Sequence, residues 1–145
     1  MAQASASIYI PASHGRVWQL RGGFDSLPDW LPDIPRSELS EGGRVRHLAT
    51  PSGEVIVERL EAFDNAGRSY SYSIVEAHFP VTGYVATLRV RETDGGKGSR
   101  VEWSGRFTPN HVSDQEASDL FQGIFEHGLE ALAARFASEK RSRTG

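Results

Sequence analysis

One carboxylate stands out among the side chains of this sequence that could do chemistry. Glu58 alternates with Ile56 and Leu60 in a β-prone stretch, so it points where those two apolar residues point. An inward carboxylate needs a cation or a proton. Arg44 or Arg46, one strand earlier, is placed to supply the charge. Such a group is a polar anchor for a ligand, a general acid or base helped by Tyr72 or His78, or half of a structural ion pair. The residue pattern leaves these three open.

Other chemistry is thin. The five histidines, His14, His47, His78, His111 and His127, never fall at metal-ligand spacing within one element, so no metal is expected. There is no cysteine, which excludes disulfides and thiolate chemistry. No nucleophile elbow, phosphate loop or dinucleotide fingerprint occurs, and no cofactor is expected. Gly95-Gly96-Lys97-Gly98 is glycine-rich but joins two strands and precedes no helix.

The aromatic residues carry more information. Tyr70, Tyr72 and Ile74 share one strand face; so do Tyr84, Ala86, Leu88 and Val90, and so do Val101, Trp103, Gly105 and Phe107. Trp30, Trp103, Tyr70, Tyr72 and Tyr84 either line a pocket or fill a core. Phe121 and Phe125 face them from a long C-terminal helix. Gly105 and Ala86 leave room among the large side chains, so a cavity lined by Trp103, Tyr84, Phe121 and Phe125 is expected.

These residues need elements to hold them. From Ser113 to about Lys140, Ala117, Leu120, Phe121, Ile124, Phe125 and Leu129 begin an apolar stripe that Leu132, Ala133 and Phe136 continue. Ser113 and Glu116 form a capping box at its start. Before it, a first strand spans Ser5 to Ile10, a short helix follows Pro11 through Leu20, and Phe24 to Pro35 forms a second short helical turn. Six strands then follow: 37–40, 44–50, 54–63, 68–76, 81–93 and 99–108. Short turns argue for antiparallel pairing. The fold class is α+β: a curved antiparallel sheet of about seven strands gripping a long C-terminal helix.

The 145 residues read as a single domain, 1–145. A net charge of −3 with no basic face argues against nucleic acid. No apolar run is long enough for membrane insertion, the N-terminus lacks signal-peptide features, and a cytoplasmic protein is expected. The expected partner is a hydrophobic small molecule, and the protein itself is expected to be a monomer or homodimer.

Several segments occur in the order and spacing of a known superfamily. They are Phe24 to Pro32, Gly43-Arg44-Val45-Arg46, Glu58-Arg59-Leu60, Tyr70-Ser71-Tyr72-Ser73-Ile74, Pro80-Val81 with Tyr84, and Val101-Glu102-Trp103. Across nearly its whole length the chain resembles the START-like (Bet v 1-like, SRPBCC) proteins. It looks most like the bacterial polyketide cyclase/dehydrase-type branch and is similar to plant abscisic acid receptors in the same segments. The resemblance implies a helix-grip fold with an elongated apolar cavity, faced by the positions of Trp103 and Tyr84. It also implies two gate loops, 49–53 and 76–80, the second carrying His78 and Phe79. The receptors place a carboxylate-pairing lysine just after the aromatic that Trp30 matches. Leu31 stands there, which argues against the same acidic hormone. The expected function is binding or transport of a hydrophobic, lipid-like or aromatic small molecule. The alternatives are a polyketide cyclase or dehydratase using Glu58 as general acid or base, and an interaction module docking through the gate loops.

Overall fold

The computed structural model describes residues 2–21, 34 and 36–144. The described elements are β1 (Ala2–Ile10), α1 (His14–Arg21), β2 (Arg36–Ser40), β3 (Val45–Ala49), β4 (Val55–Asp64), β5 (Ser69–Glu76), β6 (Val81–Thr93), β7 (Gly98–Pro109) and α2 (Asp114–Thr144). The seven strands form one antiparallel sheet in the order β1-β7-β6-β5-β4-β3-β2. All neighbours after β2 are sequential, as short turns require. β1 alone returns to the far edge and pairs with β7. The sheet curves, and α2 packs against β1 and β7. The second short helical turn expected around Phe24 to Pro35, and Trp30 within it, lie outside the described residues, apart from a buried Ile34.

The residues explain where elements begin. The α2 helix starts at a working cap: Glu116 N–H donates to Ser113 Oγ at 3.0 Å. Its buried line is narrower than the periodicity suggests. Ala117, Phe121, Phe125, Leu129, Leu132 and Phe136 are buried, while Leu120 is 38% exposed. Leu120 sits one position off the line of i, i+4 residues and falls at the edge of the contact. The α1 helix starts at His14, not at Pro11. A tight turn, Ala12 N–H to the Ile10 carbonyl, precedes it, and Arg16 N–H reaches Ser13 Oγ at 3.4 Å. Ser13 is the capping signal, and Pro11 lies outside the helix. The β1 strand begins at Ala2, three residues before the expected Ser5. Alanine has weak strand preference, but Ala2 and Ala4 lie opposite Phe107 and Gly105 and are buried there.

Two local features shape the interior. At Gly83 (φ +62°) the β6 strand has two residues against one on β7: Thr82 pairs with Thr108 and Val85 with Arg106. This bulge sets Tyr84 against Phe107, with ring centroids 6.0 Å apart. The second feature is the small pair Ala86 and Gly105, neighbours in the β6–β7 register. A Cβ at Gly105 would meet Phe125 Cζ at 3.2 Å. The space that Gly105 leaves is therefore taken by the Phe125 ring, which stacks on Trp103 at 4.6 Å.

Candidate functional site

Strand register places the charged pair. Arg46 on β3 lies directly opposite Glu58 on β4, so both side chains leave the same face of the sheet. Both are buried, 1% and 6% exposed. Arg46 Nε and Nη2 each lie 2.7 Å from Glu58 Oε1. The other carboxylate oxygen takes no part in that contact. The guanidinium also lies 4.8 Å from the Tyr72 ring centroid and 5.8 Å from that of Tyr70.

The next strands add a polar chain. Trp103 Nε1 donates to the Tyr72 hydroxyl at 3.0 Å, and the Tyr72 and Tyr84 hydroxyls lie 3.4 Å apart. Tyr72 lies opposite Ala86, whose neighbour is Gly105.

A cavity of about 180 Å³ opens between this polar group and the helix. Arg46, Glu58, Tyr72, Tyr84 and Trp103 form its polar side. The remaining described wall is apolar apart from Thr50: Leu48, Ile56 and Ile74 from the sheet, Phe121 and Ile124 from α2, and Ile34 and Phe79. Thr50 and Phe79 come from the loops after β3 and β5, and the Phe79 ring meets Phe121 edge-on at 5.2 Å. Larger hollows of about 530 and 590 Å³ lie on the other face of the sheet. Serine, threonine and charged side chains such as Ser5, Thr87 and Arg89 dominate them, so they offer little apolar burial.

Burial sets the protonation of the site. It pushes the Glu58 carboxyl above its ordinary value of 4.5, while the Arg46 charge and hydrogen bond pull it back; the net direction is upward. For Arg46, burial works against the charge, but Glu58 and the two tyrosines outweigh it, and the guanidinium stays charged. Burial also raises the Tyr72 and Tyr84 phenols, so both keep their protons.

The structure brings together seven of the residues singled out in the sequence: Arg46, Glu58, Tyr72, Phe79, Tyr84, Trp103 and Phe121 line the one cavity. Phe125 lies behind the wall, against Trp103 and under Gly105, because the gap left by small residues is filled. Tyr70 is buried beside Arg46 and against Trp18, outside the lining. Arg44 and His78 are exposed. Arg44 precedes β3, and among the described residues the partner of Glu58 is its register neighbour Arg46. Leu48, Ile56 and Ile124 are wall residues with no individual signal. Leu48 shares the parity of Arg46, Ile56 that of Glu58, and Ile124 lies on the helical stripe. No group of three metal-ligating side chains clusters among the described residues, and no helix there is long and apolar enough to cross a membrane.

Comparison with known proteins places this geometry. The model of a family described as polyketide cyclase / dehydrase and lipid transport matches residues 1–137. The solved structure of the protein XoxI from Bacillus cereus is 55% identical, with a TM-score of 0.93, covering 97% of this chain and 99% of that one. A START superfamily protein from Mycobacterium smegmatis superposes with a TM-score of 0.77 at 15% identity, covering 95% of this chain and 99% of that one. The Zhui aromatase/cyclase from Streptomyces sp. R1128 superposes with a TM-score of 0.75 at 17% identity, covering 99% and 95%. At such low identity the last two relate the fold alone.

Proposed function

Since the chain belongs to the polyketide cyclase/dehydrase and lipid transport family, we propose that it binds a small hydrophobic or aromatic molecule in the cavity between sheet and helix. The single observation that supports this is the wall itself: a mostly apolar surface with a few convergent polar groups at one side, in a fold whose helix and sheet do not meet fully there. Apolar contact supplies most of the affinity, and the Arg46–Glu58 and Tyr72–Tyr84–Trp103 groups fix orientation. The experiment is native mass spectrometry of the purified protein beside Ile124→Trp, which fills the cavity from the helix. A co-purified small molecule on the parent and none on the folded variant supports the reading. Equal occupancy of both argues against this cavity.

Glu58 favours a second reading, turnover. It lines the cavity, its carboxyl holds a proton to higher pH than usual, and one oxygen lies outside the contact with Arg46. A carboxyl of that kind can pass a proton to or from a carbon beside a carbonyl. Conversion of a bound ketide-like compound that Glu58→Gln abolishes, with binding retained, separates this reading from simple binding.

A further inference from the structure

The protons of the polar chain can be counted. Tyr72 and Tyr84 carry two O–H protons between them, and burial keeps both phenols protonated. One proton at most serves the contact between the two hydroxyls, which at 3.4 Å is long for such a pair. Trp103 Nε1 donates to the Tyr72 oxygen, which occupies an acceptor position and consumes no tyrosine proton. Whichever tyrosine donates to the other, at least one O–H is left over. Neither hydroxyl has a further acceptor among the described residues. Both side chains line the cavity, so a molecule bound there is within reach to supply the acceptor.

The charges can be counted too. Arg46 is the one cationic side chain of the described wall, and Glu58 already meets it at 2.7 Å through two nitrogens. Glu58 keeps a second oxygen outside that contact. An anionic ligand would find the Arg46 guanidinium already engaged by Glu58 through Nε and Nη2, with the other carboxyl oxygen of Glu58 nearby. The size is bounded as well. At about 180 Å³ the cavity slightly exceeds the roughly 150 Å³ of an apolar cavity that holds benzene, and it falls below the usual range for drug-sized ligands.

From these counts we infer that the cavity selects an uncharged molecule of one or two rings carrying a hydrogen-bond acceptor, such as an aryl ketone, which takes the spare phenolic O–H of the Tyr72–Tyr84 pair. This rests on the cavity being a binding site. It adds that the site discriminates by acceptor and by charge, and not by apolar bulk alone.

The test uses three probes of one shape on the intact protein at neutral pH: ethylbenzene, acetophenone and benzoate. Dissociation constants come from protein-observed NMR titration, and the carbonyl stretch of bound acetophenone from infrared difference spectra. Acetophenone should bind about fivefold to tenfold more tightly than ethylbenzene, the size of one neutral hydrogen bond. Its carbonyl stretch should lie below its position in heptane. Benzoate should bind at least about a hundredfold more weakly than acetophenone. Tyr72→Phe combined with Tyr84→Phe removes both phenolic protons and should abolish the preference for the ketone while ethylbenzene still binds; a preference that survives it overturns the donor. Equal binding of ethylbenzene and acetophenone, with an unshifted carbonyl, overturns the donor while leaving the apolar cavity standing. Tighter binding of benzoate overturns the charge count. Failure of all three to bind overturns the binding site itself.

Discussion

Arg46 and Glu58 are direct register partners across β3 and β4, and Arg46 contacts one carboxylate oxygen through two nitrogens at 2.7 Å. A permanent charge buried in an apolar interior requires such a partner, so the two side chains act as a unit. Glu58→Leu should strand the guanidinium and cost about 3–5 kcal/mol in urea unfolding. Adding Arg46→Met to that variant should restore most of the loss, since an apolar pair of similar volume tolerates the site. A double variant as unstable as the single would mean that the pair contributes more than mutual compensation.

The pair also sets a pH dependence with a definite sign. The folded-state pKa of Glu58 lies above its ordinary value of 4.5, mainly through burial. The folded protein therefore holds this proton where the unfolded chain has lost it. The stabilisation from Glu58 is complete below pH 4.5 and is lost as pH rises through the folded-state pKa. In thermal melts, the stability of the parent relative to Glu58→Gln should fall as pH rises from about 4.5 and level off above the folded-state pKa. A relative stability that grows with pH would show that Arg46 outweighs burial.

Gly105 is a packing requirement. A Cβ there meets Phe125 Cζ at 3.2 Å and Ala86 Cβ at 3.4 Å. Gly105→Ala should cost about 1–3 kcal/mol by chemical denaturation, through displacement of the Phe125 ring from Trp103. The altered stacking should also change the tryptophan fluorescence. A neutral substitution would mean that the helix shifts freely over the sheet.

Much of this architecture was legible because side-chain parity is a local property. The inward sets on β5, β6 and β7, the position of Glu58 and the α2 stripe all follow from period two or period four along single elements. What was hidden depends on pairs of elements. Arg44 and Arg46 have the same parity, and only the β3–β4 register selects Arg46. Phe125 belongs to the helical stripe as Phe121 does, but the approach of α2 to Gly105 turns one ring into filler and leaves the other on the cavity. Leu48, Ile56 and Ile124 look like any core residues until the space between them is visible.

The loops after β3 and β5 should be the parts that respond to ligand. Each contributes a wall residue, Thr50 or Phe79, and lies between two strands of the sheet. In the first, Gly53 N–H donates to the Thr50 carbonyl at 2.9 Å and Glu54 N–H donates to the Thr50 side-chain hydroxyl, Oγ1, at 3.1 Å. Hydrogen exchange should be fast in both loops without ligand and slow in them on binding. Protection confined to the 94–98 hairpin would place the entrance elsewhere.

The central claim is that the space between sheet and helix receives a small molecule. A backbone-amide NMR titration with ethylbenzene and acetophenone tests it most directly. The account predicts saturable one-to-one shifts centred on Thr50, Phe79, Tyr84 and Ile124, with Ile124→Trp abolishing them. Shifts centred on Ser5, Thr87 and Arg89 on the opposite face of the sheet, or none that saturate, would contradict it.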